Sequence, residues 1–221
     1  VKQHEAKRQL ARLIDEILSE NPRKLGLKLV YPEGATPLDP DESAGLIPSH
    51  VATQGQLNEW EQQNILEGER WGFSRRNVNP LSLQFSQDLH KHMFGRTWNG
   101  LDAFAQVKNL GVDPRFIGLK STELFRDVEA QLEHRSDPID EIAARFHHRL
   151  VSIHPFANGN GRFSRTMTDL LLKSKSEEGF SWGGGSLNAG EIRMQYILAL
   201  RAADARDYRL LFAFVRSGEQ H

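Results

Sequence analysis

The sequence predicts an all-α protein with one small β excursion, near residue 105. Three observations predict this class. Apolar residues recur at intervals of three and four over most of the chain from Leu57 onward, as they do on the buried face of a helix. Prolines and glycines bound these periodic segments. Between residues 97 and 118 the periodicity stops, and Trp98, Gly100, Phe104 and Gly111 indicate a loop or a short hairpin, with strands at 103–107 and from Gly111 onward.

The N-terminal region predicts one helix followed by an extended segment. Residues 1–20 carry an apolar stripe opposite a charged face, which indicates a helix that docks on the core or on a neighbouring chain. The sharper alternative is a helix for dimerisation or for contact with an antitoxin. Residues 21–55 contain five prolines and read as an extended wrap with short turns. We therefore expect an N-terminal helix and wrap over 1–56 and a helical, chemistry-bearing domain over 57–216.

Start and stop signals place the helices of the second region. Pro80 is expected to open a helix that Gly95 ends, and Ser121 is a plausible N-cap. Asp137 and Pro138 suit the cap and first turn of the next helix. That helix should end at Pro155, because the residue before a proline resists helical backbone. The helices are expected at 57–72, 80–95, 121–134, 137–154, 162–173, 191–203 and 208–216, with a glycine-rich loop at 179–188.

Composition excludes several classes of function. The 221 residues have 28 Lys and Arg against 29 Asp and Glu, so no basic field favours direct binding of nucleic acid. No cysteine is present, which excludes disulfides, thiol nucleophiles and cysteine-ligated zinc. No apolar run approaches the roughly 20 residues of a membrane span, and the charged N-terminus has no signal region. We therefore expect no membrane partner and a cytoplasmic location.

The chain is expected to be organised around residues 154–165, which read His-Pro-Phe-Ala-Asn-Gly-Asn-Gly-Arg-Phe-Ser-Arg. Gly159 and Gly161 allow backbone N–H groups to converge in a tight turn. The helix after them offers a partial positive charge, which suits phosphate. Arg162 and Arg165 oppose the helix dipole at that end, a conflict that a bound anion would relieve. The stretch is neither a Walker loop nor a dinucleotide fingerprint. It predicts a nucleoside triphosphate in the turn, with His154 as a base beside it.

The pattern His-Pro-Phe-x-x-Gly-Asn-Gly-Arg-x-x-Arg resembles the signature of the Fic (Fic/Doc, Fido) family, and the resemblance covers about residues 57–215. Ala157-Asn158 and the segments 33–40 and 182–185 resemble the branch called mobile mystery protein B. The resemblance implies a Fic-type helical bundle that transfers AMP from ATP to a Ser, Thr or Tyr hydroxyl of a target protein. His154 would be the general base for that hydroxyl.

The resemblance also implies roles for other residues. Gly159, Asn160 and Gly161 would form the anion hole for the α- and β-phosphates, and Arg162 would bind phosphate and stabilise the developing charge. Arg165 would reach the terminal phosphate or brace the site through a carboxylate. Phe156 would be a structural anchor, the region 101–118 a β-hairpin flap that binds the target by strand pairing, and the adenine pocket would include Asn188 and Tyr196.

Two positions qualify the expected activity. The family usually has an acid that holds Mg²⁺ where this chain has Asn158; an amide can still ligate the metal, but without charge. The alternative is therefore a Fic-fold module that binds nucleotide with little transfer. Glu67-Gly68 resembles the family's inhibitory motif, in which the glutamate pairs with the second arginine; a de-AMPylase, with Glu67 positioning water, is a further alternative.

The implied biology is a toxin or regulator on a mobile element, acting on a target protein bound along 101–118. Residues 1–20 would contact an antitoxin or form a homodimer. His147 and His148 have no carboxylate at helical spacing and are therefore expected to be structural rather than metal ligands.

Overall fold

The computed structural model describes residues 54–76, 78–97, 104–105, 111–185, 187 and 190–218. The expected N-terminal helix and almost all of the expected wrap lie outside these residues, so the domain division stays a prediction. Seven α-helices form in the described part, which confirms the all-α class. They are α1 (Gln54–Ser74), α2 (Leu83–Phe94), α3 (Ile117–His134), α4 (Ile139–Ile153), α5 (Asn160–Ser174), α6 (Glu191–Asp204) and α7 (Arg209–Val215).

Helix α4 lies between two hydrophobic cores and thereby fixes the centre of the molecule. Its face bearing Phe146 and Leu150 packs into the first core, with side chains of α1, α2, α3 and α5. Ala143 and Ala144, on another face, belong to the second core with α6, α7 and Trp182. Burying apolar side chains on both sides holds α4 rigidly, and the expected functional turn begins directly at its C-terminal end.

Helices α1 and α2 pack closely at the edge of the first core. A Cβ on Gly68 would lie 2.5 Å from Cγ of Met93, so only glycine permits this approach. The expected helix start at Pro80 shifts to Leu83, because the Ser82 side chain caps α2 by accepting from the N–H of Phe85 at 3.2 Å. Packing of α2 against α1 and α5 brings its buried face to the turn that follows α4.

Helix α3 begins earlier than the sequence indicates. Ser121 is not its cap but a buried residue inside the helix, and its hydroxyl has no hydrogen-bond partner among the described residues. A short 3₁₀ helix, Pro114–Phe116, leads directly into α3, and Asp113 caps that turn. The local cap signal at Ser121 is overridden because Ile117 is itself buried and is therefore drawn into the helix.

The expected β-hairpin is not seen in the part of the chain that the structure describes. Most of its first strand lies outside the described residues, and bends rather than a strand follow Gly111. Two backbone bonds nevertheless attach this region to the end of α4. The N–H of Ala105 donates to the Pro155 carbonyl at 2.9 Å, and the N–H of Val112 donates to the Ile153 carbonyl at 3.2 Å. Among the described helices, none is long and apolar enough to cross a membrane.

Candidate functional site

A tight turn connects α4 to α5 and contains the residues expected to carry the chemistry. His154 ends α4 in the left-handed region, with φ 54°, and its N–H donates to the Leu150 carbonyl at 3.2 Å. A non-glycine residue rarely adopts this backbone, so the surrounding contacts must hold it there. Gly159 has φ 75° and precedes the first residue of α5, and a Cβ on it would lie 2.4 Å from the Phe94 ring. The backbone conformation and the contact with Phe94 therefore restrict this position to glycine.

Phe156 lies at the centre of the contacts that hold the turn. Its ring is fully buried and stacks on the ring of His90 at a centroid distance of 3.7 Å. His90 also bonds through Nε2 to the main-chain carbonyl of Asn158 at 3.0 Å, which requires a proton on that nitrogen. His90 is therefore a second support of the turn, from α2. No motif in the sequence indicates it, because its contact partners lie more than 60 residues away.

The Asn160 side chain holds the turn rather than a ligand. Its Oδ1 accepts from the N–H of Phe156 at 2.9 Å, and its Nδ2 donates to the Phe156 carbonyl at 2.6 Å. Both ends of the amide are occupied, and the side chain is buried. If Asn160 contacts a phosphate, it does so through its main chain.

The N-terminus of α5 has the properties of an anion site. Gly159 supplies no side-chain cap to the first turn of α5, so this helix end keeps its partial positive charge. Gly161 adds no bulk there: a Cβ would lie 3.8 Å from Nη1 of Arg165 and 4.0 Å from Oη of Tyr196. The N–H of Gly159 itself donates to Oδ1 of Asn158 at 2.7 Å. The turn therefore presents main-chain donors and two arginines to one region.

His154 lies at the rim of this region and is half-buried. Burial lowers the pKa of His154 below its ordinary value, and a main-chain hydrogen bond with Val151 opposes that shift. The imidazole is therefore neutral at pH 7 and can accept a proton. This is the protonation state that a general base requires.

The two arginines of the turn have different partners. Nη2 of Arg162 pairs with Oε2 of Glu61 from α1 at 2.8 Å, and the Glu61 side chain is only 7% exposed. Arg165 forms no ion pair with a described residue; its guanidinium lies 5.7 Å from the centroid of the Tyr196 ring. Arg162 is thus already neutralised by the protein, whereas Arg165 is held beside an aromatic ring.

A cavity of about 390 Å³ opens between α1 and α5 and contains both arginines. Its walls combine the two arginines with two carboxylates, Glu69 and Asp169, and with apolar side chains that include Trp182. Burial raises the pKa of Asp169 to about 6, and hydrogen bonds from Trp182 Nε1 and the Phe180 N–H counteract part of that shift. Burial also raises the pKa of Glu69.

Two expected site residues, Glu67 and Tyr196, lie elsewhere than the resemblance implied. Glu67 does not contact Arg165 but pairs with Arg96 on an exposed surface. Tyr196 is 4% exposed, and its hydroxyl bonds to Nε2 of His147 at 2.9 Å, so its ring offers no open face for adenine. Asn188 lies outside the described residues, and its expected role stays a prediction.

The residues of the turn do not fit a divalent cation held by the protein. Asn158 is neutral, and its Oδ1 already accepts from the N–H of Gly159. The carboxylate of Glu61, which also reaches the turn, is paired with Arg162. In the part of the chain that the structure describes, no group of three His, Cys, Asp or Glu side chains is placed to hold a metal ion.

His147 and His148 are structural, as the sequence indicates. His148 is buried and bonds through Nε2 to Asp204 at 2.9 Å, and its Nδ1 lies 3.3 Å from the hydroxyl of Tyr208. His147 bonds to Tyr196 and packs against the Trp182 ring at 4.6 Å.

Comparison with known proteins agrees with this geometry. Residues 80–172 match the model of the Fic/DOC family. The fold is similar to that of the BepC protein of Bartonella tribocorum, solved with bound AMPPNP, with a TM-score of 0.60, 13% identity, and coverage of 84% of this chain and 93% of that one. The N-terminal FIC domain of Bep8 from Bartonella sp. 1-1C gives a TM-score of 0.60, 11% identity and coverage of 75% and 86%.

Fic-1 from C. elegans (residues 134–508) is similar at a TM-score of 0.53 and 20% identity, over 70% of this chain. The chain spans about half the length of that protein, since the match covers 48% of it. These likenesses show the fold. Residues 80–172, which match the Fic/DOC-family model, contain α2 to α4, the turn described above and α5 as far as Leu172.

Proposed function

We propose that this chain is a protein adenylyltransferase, which transfers AMP from ATP to a hydroxyl of a target protein. The observation that carries the proposal is the placement of a neutral His154 at the start of the short turn that leads to an uncapped helix N-terminus bearing Arg162 and Arg165. A base beside an anion site is the arrangement that hydroxyl attack on a phosphate ester needs. The family match over 80–172 supports the same class of reaction.

The proposed reaction uses each part of the turn. The target hydroxyl gives its proton to His154 while its oxygen attacks the α-phosphorus. The bond from that phosphorus to the bridging oxygen breaks, and pyrophosphate leaves. The main-chain N–H groups at the start of α5 and the Arg162 guanidinium stabilise the added negative charge on the phosphates. Arg165, which lines the cavity, would contact the terminal phosphate.

A nucleotide that binds Arg162 would meet the carboxylate of Glu61. The Glu61 side chain is almost fully buried, so a phosphate must either displace this carboxylate or accept it as a neighbour. Two negative groups on one guanidinium repel each other in a partly desolvated site. We therefore propose that Glu61 limits affinity for the nucleotide in the ligand-free arrangement.

The second candidate function is a nucleotide-binding module with little transfer, and two observations favour it. The neutral amide of Asn158 is bonded within the turn, and Arg162 is engaged by Glu61. The family resemblance also implies Mg²⁺. The side chains of Asn158 and Glu61 do not fit this ion, so Mg²⁺ has no part in the proposed steps. De-AMPylation with Glu67 as the water-positioning residue stays a prediction; Glu67 contacts Arg96.

The proposed partners extend from the same resemblance. A target protein would bind beside residues 104–105 and 111–118, which are attached to the end of α4 near His154. An antitoxin or a second copy would contact residues 1–20, and the chain would act in the cytoplasm.

Labelled ATP, incubated with the protein and a bacterial lysate, tests the proposal. We expect a labelled lysate protein with the wild type, and loss of labelling by at least about 100-fold in His154→Ala, since a general base contributes at least about that factor. His134→Ala, at an exposed histidine, is the matched control. Calorimetric titration with a non-hydrolysable ATP analogue is run in parallel. Binding without labelling would favour the module, and neither binding nor labelling would refute both functions.

A further inference from the structure

A buried tyrosine and a buried histidine lie beneath the arginine that faces the cavity. Tyr196 of α6 and His147 of α4 both belong to the molecule's interior, and Oη of Tyr196 is 2.9 Å from Nε2 of His147. Arg165 lies against the Tyr196 ring, at 5.7 Å from its centroid. Nη1 of Arg165 and Oη of Tyr196 both come within 4.0 Å of one point, the place where a Gly161 Cβ would be. The guanidinium and the hydroxyl thus share one small space.

The neutral ring of His147 allows the Tyr196 hydroxyl to present a lone pair to Arg165. Burial, and then the charge of Arg165, lower the pKa of His147 to about 3, so its ring is neutral and one nitrogen can accept. If the Tyr196 hydroxyl donates its proton to Nε2, only lone pairs of the oxygen remain toward the guanidinium. A guanidinium has donors and no acceptor, so it can interact with a free lone pair of the tyrosine oxygen. Burial raises the pKa of Tyr196, and the charge of Arg165 is the largest effect that opposes the shift.

Arg165 needs such a support because no carboxylate of a described residue pairs with it. Glu69 and Asp169 act on it only through the field, and Asp169 is bonded to Trp182 and Phe180. Arg193 of α6 carries the same charge; burial lowers the pKa of Arg193, and the nearby charge of Arg165 lowers it further. A cation in this position is held by the dipole of a hydroxyl and by the face of an aromatic ring, both of which Tyr196 supplies.

We propose that Tyr196 and His147 are positioning residues that fix the Arg165 guanidinium toward the cavity and thereby set the preference for nucleotides with a terminal phosphate. This inference rests on the proposed nucleotide site. The pair lies against Arg165, the arginine proposed to contact the terminal phosphate. It is therefore expected to affect the terminal phosphate and to leave binding of the first phosphate unchanged.

The first test measures selectivity between nucleotides. Dissociation constants for a non-hydrolysable ATP analogue and for AMP are determined by calorimetry for the wild type and Tyr196→Phe. The variant keeps the ring and loses the hydroxyl, and we expect the ratio of AMP to ATP-analogue dissociation constants to fall roughly tenfold, the order expected when one polar contact to a charged group is lost. In Arg165→Gln the ratio should fall similarly, and adding Tyr196→Phe to it should change the ratio no further.

The matched control is Tyr208→Phe. Tyr208 places its hydroxyl 3.3 Å from Nδ1 of His148, the histidine next to His147, so the variant also removes a tyrosine–histidine contact, but a half-buried one away from Arg165. We expect its selectivity to equal that of the wild type. An unchanged ratio in Tyr196→Phe, or an equal loss in Tyr208→Phe, overturns the proposal, because general destabilisation would then explain the effect.

The second test needs no nucleotide and so separates this inference from the proposed function. In ¹⁵N-labelled protein, the Nε–H signal of Arg165 is assigned by its absence in Arg165→Lys. Its exchange with solvent and the rotation of its guanidinium are measured in the wild type and in Tyr196→Phe. Faster exchange and rotation in Tyr196→Phe, but not in Tyr208→Phe, support the positioning role; unchanged rates refute it. Absence of nucleotide binding by the wild type with a slow Arg165 signal would refute only the proposed function.

Discussion

The pair between Glu61 and Arg162 makes a prediction in which stability and affinity change in opposite directions. Glu61→Gln removes the negative charge while it keeps nearly the same shape and one acceptor oxygen. In the wild type the two side chains are 2.8 Å apart, with 7% exposure on Glu61 and 28% on Arg162. The substitution leaves a largely buried cation with a weaker partner. We expect the fold to lose stability and the turn to gain affinity for phosphate.

The magnitudes follow from the burial of the two groups. Removing one partner of a fully buried ion pair costs about 3–5 kcal/mol, but Arg162 is partly solvated, and Gln retains a hydrogen bond, so a loss of about 1–3 kcal/mol is expected. A hydrogen bond to a charged group contributes about 1.5–3 kcal/mol. In the wild type, a phosphate that displaces Glu61 must first break the bond between Glu61 and Arg162, so the net binding free energy is reduced by most of this amount. Recovering about 1–2 kcal/mol of that cost corresponds to binding that is about 5–30-fold tighter.

Two measurements on the same samples check this prediction. Urea unfolding gives the change in stability, and calorimetric titration with a non-hydrolysable ATP analogue gives the change in affinity. Glu67→Gln is the matched control on the same helix, because its partner Arg96 is exposed and lies on the surface; we expect little change in either quantity. If Glu61→Gln binds no more tightly than the wild type, Glu61 has only a structural role. Tighter binding by Glu67→Gln instead would support the inhibitory role that the family resemblance implies for that residue.

Two further predictions concern single carboxyl groups. Asn158→Asp puts a negative charge into the turn, so binding of the ATP analogue in EDTA should weaken about tenfold and should recover when Mg²⁺ is added. Binding by the wild type should change little when Mg²⁺ is added. Calorimetric titration of both proteins with and without Mg²⁺ checks this, and equal responses of the two proteins would contradict the reasoning. Asp169 has its folded-state pKa raised to about 6, so the folded protein binds more protons than the unfolded chain between about pH 4 and 6, and this group's contribution to stability falls as pH rises through that window. Relative to Asp169→Asn, which lacks this titration, the wild type should lose about 1–3 kcal/mol of unfolding free energy between pH 4 and 7, as measured by urea unfolding. His147, whose pKa is lowered, contributes a slope of opposite sign, but it does so in both proteins and therefore cancels in the difference.

The helix–turn–helix around residues 154–165 could be predicted because its signals are local. Pro155 ends α4, Gly159 adopts the positive φ that the turn requires, and Phe156 is a large apolar residue next to both. Helix boundaries could be predicted to within a few residues for the same reason. At Ser121 the local signal fails, because burial of the preceding turn extends α3.

The partners of the turn could not be predicted, because they come from distant segments. His90 reaches Asn158 only because α2 packs against α5, and Glu61 reaches Arg162 only because α1 lies beside the same helix. The sequence placed Tyr196 at the site, but it could not show that the residue lies under Arg165 rather than beside a base. That outcome depends on the second core, which draws the ring inward.

The Asn160 side chain has a consequence for how the turn keeps its shape. Its amide makes the same two bonds to Phe156, one donated and one accepted, that a peptide unit of a neighbouring strand would make. The Asn160 side chain thus closes the turn in the way that a main-chain peptide group would, although no strand lies beside the turn among the described residues. A carboxylate in its place would accept but not donate, and a longer amide would shift the register. Ligands can therefore arrive and leave at the main-chain donors of α5 without opening the loop that presents them.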